Sequence, residues 1–418
     1  MPSLLVSDLR AKIPTLVIFL FPVAGNSVHH WTGAFFWILV IVALTVLKPK
    51  EVSLSGPEKV VIGIVGALFF AMVSSSLVNG WNENSTKGLS VQIRYLGFIP
   101  IYLLFRGRED SLMWLLRGTA LATFVLAGQA IYEVFWLELE RSHGVYVSPG
   151  LIGIQGLLFS TLLLCGFFNL RVIRLPRWLI LVSILCGMTA LVLSGSRTTF
   201  LTFIIFSVVS GILFLDAKRF VQILAAIGLI SVTLFFTNDI VRNQGLSATK
   251  ELTAYVTSQE KTVQLEHHSV GQRFEMWRTA ISLFKENPVF GVGWRNFSER
   301  SVALVQQQRA HPSSSQAPHP HNAYLDALVT HGVIGFVLLI FLLGFPFWIA
   351  RQDKYRGFPP SQMLQLFILL FAINSINEGG TLIYNNTASL YFVFFAALLA
   401  SVVQVEFRSS PFLQNQRF

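Results

Sequence analysis

The chain has 418 residues, 53% of them hydrophobic and 12% charged, which is too apolar for a soluble globular domain. Its net charge of +10 is read as membrane topology rather than nucleic-acid affinity. The alternating ten-residue segments of a β-barrel do not occur, and Cys165 and Cys186 both lie inside apolar stretches, so neither a disulfide nor a thiolate metal site is expected.

A run of roughly 17–25 apolar residues crosses a bilayer as a helix. About twelve such segments follow one another, at 13–25, 31–47, 59–78, 89–105, 112–135, 149–169, 177–194, 198–215, 220–237, 322–349, 362–377 and 387–405. No small-residue cleavage site follows the first, so that helix is expected to serve as the insertion signal. Alternate loops differ in charge. One set carries Arg10, Lys12, Lys48, Lys50, Lys59, Arg106, Arg108, Arg171, Arg174, Arg177, Lys218, Arg219, Arg351, Lys354, Arg356, Arg408 and Arg417. The short loops of the other set carry Lys87, Arg141 and Arg197. The positive-inside rule makes the first set cytoplasmic. Both termini are then expected in the cytoplasm, with the remaining loops facing the exterior or periplasm.

Within the spans, Arg117 is close enough to a cytoplasmic end to snorkel. Arg94, beside Gln92 and Tyr95, either snorkels to the other face or lines a cavity. At the exterior hairpin Ser194-Gly195-Ser196-Arg197, Ser196 is placed to cap the helix that follows. A helix N-terminus with an adjacent arginine suits a phosphate, although a lone interfacial arginine gives the same pattern.

A polar insertion at 238–320 divides the chain into helices at 1–237, the insertion itself, and helices with a tail at 321–418. Within it, Phe274, Trp277, Ile281 and Phe284 recur at helical spacing over 270–285, predicting a helix with one apolar face. Arg273 stands just before that face. Asn287-Pro288 ends the helix, Gly291-Val292-Gly293 makes a turn, and a short helix is expected over 298–308. Residues 309–319 read as a flexible loop. The insertion is expected either to lie on the membrane surface or to pack down as a lid.

His321 and Asn322 stand where the chain re-enters the membrane. Continued as a helix from His321, the chain brings Leu325, Leu328, Gly332 and Gly335 within about 40° of the imidazole. Glycines there are expected to admit a neighbouring helix. His331 falls about 80° away and roughly 15 Å deeper. His321 is thus either a polar cap or a proton acceptor at the rim. His29, His30, His267, His268, His311 and His319 are further exterior histidines, without the spacing of a metal motif. The exterior offers no nucleotide pool, so a transfer reaction there needs a donor that arrives activated. A polyprenyl diphosphate glycan meets that need.

His321-Asn322, nine residues, Gly332, two residues and Gly335 together resemble the motif of the bacterial O-antigen ligase family. Its relatives include O-antigen polymerases and protein O-oligosaccharyltransferases. Ser194-Gly-Ser-Arg197 resembles that family's arginine hairpin. Arg273 with Trp277, Asn287-Pro288 and Gly291-x-Gly293 resembles its large periplasmic loop. The resemblance implies an all-α polytopic protein of GT-C type, with one large periplasmic loop domain of short helices. It implies an inverting glycosyl transfer that uses no metal or other cofactor, with His321 as general base and Arg197 and Arg273 on the diphosphate. Asn322, Arg94, Arg295 and Tyr324 are the expected supporting residues. The implied partners are undecaprenyl-diphosphate-linked O-antigen, lipid A–core and membrane lipid. A polymerase, a protein glycosylating enzyme and a lipid-linked glycan flippase are the competing expectations.

Overall fold

The computed structural model describes residues 2–47, 53–145, 148–257, 269–378 and 385–409, and the expected positions Lys48, Lys50, His267, His268 and Arg417 lie outside them. The described residues form helices and no strands. In chain order these are α1 (Pro2–Ser27), α2 (Trp31–Val46), α3 (Gly56–Val78), α4 (Glu83–Arg106), α5 (Ser111–Ile131), α6 (Pro149–Phe168), α7 (Leu170–Ile173) and α8 (Arg177–Leu193). There follow α9 (Arg197–Phe214), α10 (Ala217–Thr237), α11 (Asp239–Thr257), α12 (Ser269–Glu286), α13 (Phe297–Gln306), α14 (Ala323–Arg351), α15 (Pro359–Asn377) and α16 (Asn385–Ser409). Among the described residues, eight helices are long and apolar enough to cross a membrane: α3, α4, α5 with the π-helical turn Tyr132–Trp136, α6, α9, α14, α15 and α16. Shorter apolar helices occupy Lys12–Ser27, Trp31–Val46 and Arg177–Leu193.

The most buried helix is α16, in which Tyr391 through Leu398 are wholly covered. Its rings stack on those of α4 and α15: Phe98 on Phe395 at 5.4 Å, Tyr95 edge-on to Phe392 at 4.8 Å, and Phe371 edge-on to Tyr391 at 4.9 Å. Aromatic pairs at these distances contribute about 0.5–1.5 kcal/mol each beyond their burial. Helices α6 and α8 cross at Gly156 and Gly187; a Cβ on Gly156 would sit 2.4 Å from the Gly187 carbonyl oxygen. Small residues allow this approach, which also brings Gly153 beneath the Ser194 side chain.

At one end of the bundle, Glu58 is buried at the start of α3 and closes a capping box with Ser55. It also accepts from Tyr102 at 2.5 Å and Arg106 at 2.9 Å. Arg117 is at the same end. It does not reach freely into solvent but donates to the carbonyls of Ile173 and Arg174, stacked 4.8 Å over Trp114.

The opposite end carries the insertion. Met276, Ala280, Leu283, Val292, Phe297, Leu304, Ala317 and Val329 form a second apolar cluster there. The buried face of α12 is therefore Met276, Thr279, Ala280 and Leu283, not the aromatic stripe expected from spacing, and Ile281 is 44% exposed. This face meets Val329 of α14, and Trp277 of the aromatic stripe is partly buried against the same cluster. Residues 309–319 are not a loose loop: Pro312–Ser315 form a 3-10 turn, and Ser313, Ser314, Ala317 and His319 are buried. Helix α11 has no counterpart in the sequence reading.

The course of α14 also departs from expectation. It begins at Ala323, so His321 is not on its surface, and it kinks at Gly332, where φ is 66° and ψ −164°. The loop after α12 lies in this kink. Val292 donates to the Val329 carbonyl at 2.8 Å, and Val333 donates to the Pro288 carbonyl at 2.8 Å. The Ser75 hydroxyl of α3 lies 2.6 Å from both the Phe290 and the Thr330 carbonyl oxygens, which share its one proton. Gly332 thus receives this loop rather than a neighbouring helix. A Cβ on Gly332 would lie 2.1 Å from the Val289 carbonyl oxygen, and one on Gly335 would meet the His331 side chain.

Candidate functional site

His321 occupies the link between the buried pair His319-Pro320 and α14. It adopts a left-handed backbone with φ of 50°, rare for a residue with a side chain. Both neighbours are held. The Trp277 indole of α12 donates to the Pro320 carbonyl at 2.8 Å. Asn322 caps α14, its side-chain oxygen accepting from the backbone of Tyr324 and Leu325 at 3.0 Å each. A non-helical backbone with tethered neighbours turns the imidazole off the helix axis.

The His321 side chain is about a third exposed, but its Nδ1 is buried and has no hydrogen-bond partner. That atom faces Glu378, the residue that ends α15, at 3.7 Å. This is too long for a hydrogen bond and close enough for an ion pair once the ring is protonated. The His319 ring lies 4.5 Å from that of His321, and its Nδ1 accepts the His321 backbone N–H at 3.1 Å. Burial pushes the His319 pKa down to about 4, with His321, Arg273 and Arg295 lowering it and Glu378 raising it.

One ligand atom each from His319, His321 and Glu378 lies within 4.8 Å of the others, the spacing of a metal-ligand set. The donor set fits a metal ion poorly. The His319 Nδ1 lone pair is taken by a backbone N–H, so the neutral ring carries its proton on Nε2 and offers no second lone pair.

Two arginines approach this cluster. Arg273, on α12, is within Coulombic reach of both Glu378 and Arg197; burial lowers its pKa, Glu378 raises it and Arg197 lowers it. Arg197 is the first residue of α9. Ser196 caps that helix as expected, accepting from the Thr199 backbone at 3.4 Å. The hairpin and the cluster meet at Gly150, where a Cβ would lie 3.8 Å from Ser196 Oγ and 3.9 Å from Glu378 Oε2. Arg197 also donates to Glu251 of α11 at 2.8 Å.

Of the residues singled out by sequence, His321, Arg197, Arg273 and Arg295 converge here, Arg295 through its Coulombic reach to His319. Tyr324 turns away, donating to the Ala372 carbonyl at 2.8 Å. Arg94 is buried among other elements. It donates to Ser389 of α16 at 2.9 Å and to the Ser90 carbonyl, with Phe36 and Trp37 of α2 within 6 Å. It therefore packs against α2 and α16 rather than snorkelling. His331 is buried against Trp294 with ring centroids 4.9 Å apart. The reading by sequence gave no role to His319 or Glu251 and did not assign one to Glu378. The His-Pro-His spacing was the available signal for the first; the two carboxylates carried none.

Residues 179–340 match the family model described as O-antigen ligase. This stretch is similar to the O-antigen ligase family. It spans α8 to the first part of α14 and so contains Arg197, Glu251, Arg273, Arg295, His319 and His321, whereas Glu378 lies beyond it. A protein of Haemophilus influenzae (strain Rd), described as uncharacterized, is 26% identical over 368 residues, covering 85% of this chain and 88% of that protein.

Proposed function

We propose that this protein is an O-antigen ligase that moves a glycan from undecaprenyl diphosphate to a sugar hydroxyl of lipid A–core. The observation that carries the reading is the meeting of His321, Glu378, Arg273 and Arg197 at one end of the bundle, three of them inside the matched family domain. In this reading the chain spans the inner membrane about twelve times, with both termini cytoplasmic. The insertion, as a periplasmic lid, roofs the site.

The acceptor hydroxyl attacks the anomeric carbon from the face opposite the diphosphate. Its proton passes to the His321 imidazole as the new C–O bond forms and the bond to the diphosphate oxygen breaks. The departing diphosphate carries its charge to Arg197 and Arg273, which provide charge-assisted contacts suited to phosphate. Glu378 stabilises the imidazolium through Nδ1, the atom that lacks a partner in the resting site. His319 stays neutral at physiological pH and holds the His321 backbone. The transfer is GT-C-like, inverting and independent of metal.

The test is reconstitution with a diphosphate-linked glycan and lipid A–core. His321→Ala should lower turnover about 10²–10⁴-fold while the protein remains folded, and wild-type transfer should persist in EDTA. Full activity of the variant rejects the base assignment. Glycan added to a second lipid-linked glycan instead of lipid A–core would make the protein a polymerase. Lipid translocation without transfer would make it a flippase.

A further inference from the structure

Glu251 stands apart from the catalytic chemistry, yet it bonds both the Arg197 guanidinium and the first turn of the helix that carries Arg273. Its side chain is 9% exposed. Oε1 accepts from the Arg197 guanidinium at 2.8 Å, with Ser247 of the same helix 3.4 Å away. Oε2 accepts from the backbone N–H of Val270 at 3.4 Å. Val270 is in the first turn of α12, three residues before Arg273. One carboxylate on α11 thus joins the side chain at the start of α9 to the backbone at the start of α12. Arg197 and Arg273 are within Coulombic reach of each other, so their like charges repel unless something holds them.

We infer that Glu251 is a positioning residue: it clips α9 to α12 and sets the separation of Arg197 and Arg273 to that of a diphosphate. This rests on the proposal that the two arginines bind a diphosphate. The direction of the effect is diagnostic. By charge alone, removing the carboxylate paired with Arg197 would strengthen anion binding. If the carboxylate sets geometry, its removal weakens binding, because a displacement of about 1 Å at such a site costs up to roughly 10²-fold. Glutamine is a poor replacement. The clip uses both oxygens as acceptors, and an amide would turn an NH₂ group toward either Arg197 or the Val270 N–H. Aspartate keeps both acceptors on a shorter stem.

The experiment measures binding of a short polyprenyl diphosphate to the full-length protein in detergent, with amide hydrogen exchange at the start of α12 as a second readout. Glu251→Ala and Glu251→Gln should bind about 10–100-fold more weakly, Glu251→Asp should recover part of the loss, and the Val270 amide should exchange faster in the first two. In a double-mutant cycle, Glu251→Ala should add little to Arg273→Ala, since both disable the same pair. Equal or tighter binding by Glu251→Ala overturns the inference, as does unchanged exchange at Val270. Failure of the wild type to bind any diphosphate, with exchange at Val270 still sensitive to Glu251, would instead reject the proposed function and leave the clip as a structural tie. If the alanine variant does not fold, the order of the aspartate and glutamine variants carries the test.

Discussion

Replacing Gly332 with alanine tests how the insertion is seated on the membrane helices. The residue has φ of 66° and ψ of −164°, a region occupied almost only by glycine. Forcing a side chain into it costs about 1–3 kcal/mol. The new Cβ would also lie 2.1 Å from the Val289 carbonyl oxygen, 2.3 Å from its carbon and 2.8 Å from the Phe290 nitrogen. These are backbone atoms that no rotamer change can clear, and overpacking of this kind costs about 1–3 kcal/mol more. The loop must then leave the kink, loosening the bonds from Val292 to Val329 and from Val333 to Pro288. The expected destabilisation is about 2–6 kcal/mol, the sum of the two ranges. Thermal unfolding of the purified protein in detergent reads it directly, alongside transfer activity. Gly344→Ala is the control on the same helix: nothing lies within 4 Å of its added Cβ, so it should change stability by no more than about 1 kcal/mol. Gly332→Ala behaving like Gly344→Ala in both assays would refute the kink and the docked loop.

Two further outcomes follow from buried charge. His319 has a folded pKa of about 4 against an ordinary value of 6.5, so between those values the unfolded chain binds a proton that the folded one refuses. Stability should therefore be greatest above pH 6.5 and fall as pH drops through 4, by about 3 kcal/mol. His319→Gln should flatten that part of the profile of melting temperature against pH, and an unchanged profile would remove His319 as its cause. At the other end of the bundle, Glu58→Ala leaves Arg106 and Tyr102 without their shared acceptor. Breaking a buried pair in this way costs about 3–5 kcal/mol. The melting temperature should fall while the surviving folded fraction keeps its transfer rate; a normal melting temperature would show that the pair is not buried in the membrane-embedded protein.

Much of this protein is written locally in its sequence. Apolar runs of span length became helices at each expected segment, because a chain in lipid must satisfy its backbone within the segment itself. The cap at Ser196 needs only neighbouring residues, so it too was legible. The candidate residues His321, Arg197 and Arg273 stood out by type and placement. Their convergence did not, because it depends on which helix ends meet.

What only the tertiary structure decided lies between segments distant in sequence. Glu378 faces His321 because α15 ends beside the start of α14, and Glu251 joins Arg197 to the first turn of α12. A carboxylate at a helix end looks the same in sequence whether it meets water or a histidine. The inward face of α12 went to Met276, Ala280 and Leu283, with Trp277 of the aromatic stripe only partly buried against it, because the way α12 meets α14 and the turn at Pro312–Ser315 selects the face. Gly332 reads as an ordinary glycine of a membrane helix. Its positive φ arises from the loop at Pro288–Val292 lying in the helix, a long-range contact that no local pattern announces.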